Sequence, residues 1–381
     1  MHAKRFLKRS FLISSFLWLN ACAAGDFQDQ ALSVQENNIA PDEVLQFFTT
    51  DAFLRDANGD GTGEWQIPVH AWVYEPADSQ VRMKVVKESL WLAYDIDIDN
   101  ENAATFEHRI NQFLVDNERG KWFTIALKTK SNLASKNLYR VGKTQENGQV
   151  LSYFTASNVD EDQDNKAFIQ SIQYCTRIHS REVCGRARLI PQYGISVISD
   201  IDDTVKISEV KSKKALLENT FLNSFSAVPN IAEVYSSWSE QGVSFHYVSS
   251  SPWYLYSELE SFLQLAGFPD FSLSLKSFRF RDESLLALFK DGEATKPAQL
   301  RQILDKYPQR QFVLIGDSGE QDPEVYTSIK LQYPEQIIGI YIRDLAPNGE
   351  NTRRIEGLVE RMGGFPILLF QEASSLPSTI K

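Results

Sequence analysis

Cysteine, histidine and positive charge are all in short supply in this chain. Three Cys and five His in 381 residues leave little for metal chelation by soft ligands. His179 lies between Cys175 and Cys184, but a fourth ligand for a zinc site is missing. Lys and Arg number 39 against 50 Asp and Glu, a net charge of −11. A nucleic-acid partner needs phosphate-neutralising Lys and Arg, so this balance argues against one, and equally against docking on anionic lipid by charge alone. Beyond the N-terminus no stretch approaches the ~18 consecutive apolar residues of a membrane span. Neither repeats nor low-complexity segments dominate.

What is present is ample material for a core: 43% hydrophobic and 12% aromatic residues, with length for two domains and room for a third. The N-terminus has the form of a targeting signal. Lys4, Arg5, Lys8 and Arg9 precede the apolar run Phe11–Leu19 and the small residues before Cys22, a run too short to cross a bilayer. Leu19-Asn20-Ala21-Cys22 looks like a bacterial lipobox, in which Cys22 is acylated and becomes the first mature residue. Asn20 is a less usual choice there, so cleavage by the ordinary signal peptidase is the alternative. Residues 1–21 are thus expected to be a lipoprotein-type signal, and 22–40 a polar tether. Losing the four basic residues takes the net charge from −11 to −15. The expected location is exported, anchored to a membrane on the periplasmic or exterior side. There an oxidising compartment would permit a local Cys175–Cys184 disulfide across a hairpin; two free structural thiols are the other reading.

Residues 41–190 read as a strand-rich α+β domain. Trp65–Tyr74 alternates Ile67, Val69, Ala71 and Val73 on one face, and 122–127, 150–154 and 168–172 are further strand candidates. Helical spacing marks 81–94 and 105–114, the latter with Phe106, Ile110 and Phe113 on one side. Asp56-Ala-Asn58-Gly-Asp60-Gly61 begins like a calcium loop, but Ile67 stands where the bidentate Glu belongs, which favours a Gly-rich turn. Nothing in this region forms a catalytic constellation.

From 191 to 375 buried strands alternate with helices, the pattern of a doubly wound parallel α/β sheet. The strand Ile195–Ser199 ends in Asp200, Asp202 and Asp203. Ligands bind at that end of a strand in an open α/β sheet. Three crowded carboxylates call for a cation such as Mg²⁺, although taken alone an acidic turn would read the same. The alternation Asp200-Ile201-Asp202 lets both acids face a site while Ile201 turns into the core. A polar, partly helical stretch, 205–228, is long enough for a small lid. The strand 243–248 then ends in Ser249-Ser-Ser-Pro252, where a hydroxyl beside the amides of a helix start would cradle phosphate. Lys296 opens a helix against the macrodipole, so an anion or carboxylate is expected beside it. Another buried strand, 311–316, ends in Asp317 and, after a Gly-containing turn, Asp322; strands at 337–342 and 366–370 complete the sheet.

Asp-x-Asp-x-Thr, strand-Ser, Lys and strand-Gly-Asp-x4-Asp, in that order, resemble the four-motif series of the haloacid dehalogenase superfamily. The stretches 199–206, 247–253, Lys296-Pro297 and 314–326, with Tyr341-Ile-Arg-Asp344, resemble more specifically the phosphatidate phosphatase family of the yeast actin-patch protein, over about 194–370. That resemblance implies a haloacid-dehalogenase-like catalytic domain and a Mg²⁺-dependent phosphomonoesterase. Asp200 would be the nucleophile forming an aspartyl-phosphate, and Asp202 the general acid and base. Lys296, Thr204 and Ser249 would hold the phosphoryl oxygens. Asp200, the Asp202 carbonyl, Asp317 and Asp322 would hold the metal. Asp203 and Glu320 are assigned supporting roles. The implied substrate is phosphatidate, yielding diacylglycerol and phosphate, although the sequence offers no acyl-chain groove. An exported phosphatase for soluble esters or nucleotides is the alternative within enzymes. A non-catalytic binding lipoprotein is the alternative outside them, and it is disfavoured because every position the chemistry needs is filled. No protein partner is indicated.

Overall fold

The computed structural model describes residues 36–55, 63–76, 80–128, 138–156, 171–277, 295–346 and 349–380. The expected signal, Cys22, most of the tether and the calcium-like turn at 56–61 lie outside them. Among the described residues two sheets are formed, nine strands in the first and six in the second.

The first sheet contains β1 (Val44–Phe48), β2 (Thr50–Arg55), β3 (Glu64–Glu75), β4 (Asp116–Asn117), β5 (Phe123–Lys128), β6 (Leu138–Val141), β7 (Gln149–Ala156), β8 (Ser171–Ile178) and β9 (Arg181–Leu189). Its path runs β1-β3-β2-β9-β8-β5-β6, with β4 and β7 also on β3. The long β3 buries Ile67, Val69, Ala71 and Val73, as its alternation predicts. The pairs are antiparallel except β2 with β9, which run parallel through Thr50–Ala52 and Ala187–Leu189. Of the strand expected at 168–172, residues 171–172 open β8 and 168–170 lie outside the described residues. Strand β8 forms a hairpin with β9 that sets Cys175 opposite Cys184, joined as a disulfide. Two helices, α1 (Gln80–Tyr94) and α2 (Ala103–Leu114), follow β3 at the expected places.

The second sheet is wholly parallel. It comprises β10 (Ile195–Asp200), β11 (Ser244–Pro252), β12 (Phe271–Lys276), β13 (Gln311–Asp317), β14 (Ile337–Arg343) and β15 (Ile367–Phe370), ordered β12-β11-β10-β13-β14-β15. The intervening helices are α3 (Lys213–Phe221), α4 (Ile231–Glu240), α5 (Tyr256–Leu265), α6 (Lys296–Lys306), α7 (Asp322–Gln332) and α8 (Thr352–Arg361). Strands buried on both faces read as unbroken apolar runs. Val197, Phe245 and Val313 face Tyr235, Trp238 and Leu259 of α4 and α5. Ile198, Leu314 and Ile340 face Leu300, Leu304 and Ile329 of α6 and α7. Strand order reverses between β10 and β13, so the crevice opens beside the C-terminal ends of these two neighbours.

The two sheets share a core. Phe48, Trp72, Phe106 and Phe113 belong to the same apolar cluster as Phe221 and Trp253, and Phe113 packs 5.2 Å from Tyr254 and 5.6 Å from Phe221 between ring centres. A buried polar junction accompanies it. Asp51 in β2 accepts from Arg188 Nε of β9 (2.6 Å), His246 Nδ1 of β11 (2.7 Å) and Ser272 Oγ of β12 (2.5 Å). Arg188 also donates to the carbonyls of Asp270 and Phe245, both at 2.8 Å. His246 Nε2 meets Ser196 Oγ (3.1 Å), which accepts from Arg310 Nε (2.6 Å). This chain fixes the tautomer: Nδ1 carries the proton that Asp51 accepts, and Nε2 accepts from the serine. Burial would raise the Asp51 carboxyl, but Arg188 and His246 outweigh it and hold it below the usual carboxylate range.

Candidate active site

Two neighbouring strands each end in an aspartate. Asp200 closes β10 and Asp317 closes β13, both almost fully buried, while Asp322 and Lys296 are the first residues of α7 and α6. One carboxylate oxygen from each of Asp200, Asp317 and Asp322 lies within 4.8 Å of the others. Lys296 Nζ stands 2.8 Å from Asp200 Oδ1 and 3.5 Å from Glu320 Oε2, and it donates to Asp322 Oδ1. The anion expected beside this lysine is thus threefold. Asp322 can come this close because residue 316 is glycine: a Cβ there would fall 2.2 Å from Asp322 Oδ2.

Four carboxylates around one ammonium leave the cluster strongly anionic. Burial, with Asp322, Asp317 and Glu320 adding repulsion against the opposing pull of Lys296, pushes the Asp200 carboxyl well above its ordinary value. Burial and Asp322 do the same to Asp317. Burial alone would lower Lys296; Asp200 and Asp322 reverse that and hold it well above the usual lysine range. Asp317 Oδ1 accepts the N–H groups of Gly319 (2.6 Å) and Glu320 (3.2 Å), yet its buried Oδ2 has no hydrogen-bond partner. An orphaned carboxylate oxygen facing excess negative charge, in a set of hard oxygen donors, fits a divalent cation of the Mg²⁺ kind.

Asp202 occupies a separate environment. Its Oδ1 is 2.9 Å from Lys206 Nζ and accepts from Ser208 Oγ (2.7 Å), while Oδ2 accepts from Ser249 Oγ and Ser251 Oγ, both at 3.2 Å. Burial would raise this carboxyl, but Lys206 and the hydroxyls outweigh it and keep it below the ordinary range. Two acids two residues apart are therefore set to opposite protonation tendencies, with Asp202 the more readily ionised as the site stands. The turn between them and α3 is held by Asp203, left-handed at φ +55°. Its carboxylate accepts the N–H groups of Ser208 (2.8 Å), Glu209 (2.9 Å) and Val210 (2.7 Å).

A cavity of about 140 Å³ opens beside Asp202 and Glu320, walled by Phe113, Val210, Leu216, Phe221, Pro252 and Leu255 among others. Its apolar sides come from α2 of the first sheet's region and from α3 in the expected lid segment. No groove was legible in the sequence, because Phe113 and Phe221 are far apart in the chain.

All the expected site residues of 200–322 gather here, with two differences in detail. The Ser249 hydroxyl, expected to face phosphate, donates to Asp202 and accepts from the Ser251 N–H (2.9 Å). Thr204 Oγ1 donates to Asp200 Oδ2 at 3.2 Å. Each hydroxyl is taken by the strongest local acceptor, an ionisable carboxylate. Pro252 ends β11 instead of opening a helix; a 3-10 turn, Trp253–Leu255, separates it from α5. Sequence reasoning missed Lys206, Ser208 and Ser251 as partners of Asp202. The i+4 spacing of Lys206 was the available signal. Arg354 was missed also: from α8 it donates to the carbonyls of Ser318 (2.8 Å) and Glu320 (2.7 Å) and fixes the loop after Asp317.

Residues 195–344 match the family model described as the catalytic domain of phosphatidate phosphatase APP1. The chain is 34% identical over 161 residues to phosphatidate phosphatase APP1 of Saccharomyces cerevisiae, covering 41% of this chain and 27% of that protein. It is 28% identical over 204 residues to an uncharacterized protein of Schizosaccharomyces pombe, covering 52% of this chain and 32% of that one. The chain thus spans about a quarter to a third of the length of these relatives. Among solved structures, a sialyltransferase from Photobacterium damsela covers 64% of this chain and 45% of its own at 8% identity; the TM-score of 0.24 is too low to bear on fold or function. The segment 195–344 is thus similar to the catalytic domain of phosphatidate phosphatase APP1.

Proposed function

We propose that this chain is a Mg²⁺-dependent phosphomonoesterase that works through an aspartyl-phosphate, with phosphatidate as its substrate. The catalytic domain is read as doubly wound and haloacid-dehalogenase-like. The observation that carries the proposal is the pairing of Asp200, buried among Lys296, Asp317 and Asp322, with an Asp202 held separately by Lys206 and serine hydroxyls. The similarity to phosphatidate phosphatase APP1 of Saccharomyces cerevisiae supports the substrate, and the apolar cavity beside Asp202 is compatible with a lipid leaving group.

Asp200 in its ionised form attacks phosphorus; the P–O bond to the alcohol breaks, and the leaving oxygen takes a proton from Asp202. Water then attacks the acyl phosphate and gives a proton to Asp202, and phosphate leaves with Asp200 regenerated. As it stands Asp202 is ionised; an incoming phosphate dianion raises its affinity for the proton that it must deliver. Lys296 neutralises the transferring group, and Thr204 positions the attacking carboxylate. A bound divalent cation, held by Asp200, Asp317 and Asp322 with the Asp202 carbonyl, would supply charge neutralisation on the phosphoryl oxygens. Export, a signal over 1–21 and acylation at Cys22 belong to the same proposal.

The test is phosphate release by the purified chain with Mg²⁺, from phosphatidate in mixed micelles, an aryl phosphate and a nucleotide panel, with Asp200→Asn and EDTA as controls. Preferred, Asp200-dependent turnover of phosphatidate is expected. Turnover of soluble esters only would keep the mechanism and overturn the substrate.

A further inference from the structure

Helix α1 has two apolar faces. Met83, Val86 and Leu90 are buried in the shared core, whereas Val81, Val85, Trp91 and Leu92 are 77, 56, 57 and 75% exposed. Val81, Val85 and Leu92 fall within about 40° of one another on a helix of 3.6 residues per turn, opposite the core face. A surface helix needs one apolar stripe. Val81, Val85 and Leu92, exposed along about three turns with Trp91 at their flank, form a patch, and such patches mark contact surfaces. Three of the four charged residues on this helix are basic, Arg82, Lys84 and Lys87 against Glu88, in a chain whose net charge is −11; Lys87 pairs with Glu107 at 3.0 Å, while the more exposed Lys84 lies 3.8 Å from Glu88. Basic residues flanking apolar ones, with a tryptophan among them, make the composition of a helix that lies in a lipid interface. At 15 residues it is too short to cross, and no helix among the described residues is long and apolar enough to do so.

The position of α1 identifies the occupant. Arg82 Nη1 donates to the Leu114 carbonyl (3.3 Å), next to Phe113, one wall of the cavity at Asp202. At the other end, Lys214 Nζ of α3 donates to the Asp95 carbonyl (2.7 Å), and α3 supplies the facing wall through Leu216 and Phe221. The exposed apolar helix is thus tied to both walls of an apolar cavity that ends at the proposed general acid. A protein-binding face has no need of that connection; a surface that takes up amphiphiles does.

We propose that α1 docks in the plane of a phospholipid bilayer. Val81, Val85, Trp91 and Leu92 enter the headgroup–acyl boundary, the exposed Lys84 meets lipid phosphate, and the cavity mouth is held at the interface. The docking is independent of any anchor at Cys22; that it delivers substrate rests on the proposed function.

The experiment uses the full chain carrying Cys22→Ser, which cannot be acylated, in sedimentation with phosphatidylcholine vesicles with and without phosphatidate. The parent is expected to bind, more tightly with phosphatidate. Val85→Glu/Leu92→Glu should weaken partition by about tenfold or more, because two anchors are exchanged for charge. Leu265→Glu, at an 89% exposed leucine of α5, should leave binding unchanged. Turnover of an aryl phosphate should be equal in all three, while turnover of vesicular phosphatidate falls with partition. A parent that does not bind, or binding that survives the double variant, overturns the proposal. So does a parent dimer that the double variant converts to monomer without change in vesicle binding, which would assign the face to a second copy. Vesicle binding through α1 without Asp200-dependent phosphate release from any substrate would overturn the proposed function and leave the docking standing.

Discussion

Replacing Asp51 by asparagine should destabilise the fold by about 3 kcal/mol, although the residue is remote from the chemistry. The side chain is 8% exposed and its partner Arg188 3%. Asn keeps an oxygen for Arg188 Nε, now at 2.6 Å, but removes the charge that compensates a buried guanidinium. Breaking such a pair costs about 3–5 kcal/mol, chiefly through the ion left behind. The lower end applies because the Arg188 Nη atoms keep the Asp270 and Phe245 carbonyls. With a urea slope of about 3 kcal/mol/M, the midpoint should fall by about 1 M at unchanged slope, followed by tryptophan fluorescence. Asp51→Leu/Arg188→Met, which removes both charges, should be less destabilised than Asp51→Asn. The sign with pH is fixed as well. Since Asp51 is held below its usual range when folded, its contribution is present above about pH 4 and is lost as pH falls further. The difference between parent and variant should therefore shrink on acidification. A midpoint shift below about 0.3 M, or a double variant worse than the single, would refute the uncompensated-charge account.

Gly316→Ala forces Asp322 aside, since the new Cβ would lie 2.2 Å from its Oδ2; the Mg²⁺ concentration for half-maximal phosphate release should rise by about tenfold or more, and an unchanged requirement would remove Asp322 from the metal set. Reduction of Cys175–Cys184, separated by nine residues, should lower stability by about 2–3 kcal/mol, and Cys175→Ser should make the chain insensitive to reductant in the same melt. Burial pushes His70 down to about 4 and lowers His246. Both therefore fold neutral, and their contribution, complete above about pH 6.5, is lost as pH falls toward the folded values; imidazole proton resonances assigned to His70 or His246 that titrate near pH 6.5 in the native state would contradict this.

The site was legible because parallel strands announce themselves: an uncharged run stops where the chain meets the crevice, and carboxylates follow. Asp200, Asp317 and Lys296 are local signals of that kind. The helices α1 and α2 were equally legible from spacing. Strands β1 and β2 were not. Asp51 interrupts the apolar pattern of β2, and only Arg188, 137 residues later, together with His246, makes a buried carboxylate tolerable there. The serines after β11 were legible as polar groups at the right strand end, but not for what they do. Their hydroxyls go to whichever acceptor the fold brings nearest, and that is Asp202.

The wiring of Asp51 also bears on the order in which the chain can fold. Its parallel partner β9 begins at residue 181, and its last hydrogen-bond partner is Ser272, 221 positions downstream. While the chain is being made, β2 must wait with an uncompensated carboxylate and an open edge until β9 and the first three strands of the parallel sheet exist. Contacts of such separation are slow to close. The first sheet is therefore not a unit that finishes ahead of the catalytic one, as early domains of a growing chain commonly do. The two halves should reach the native state together.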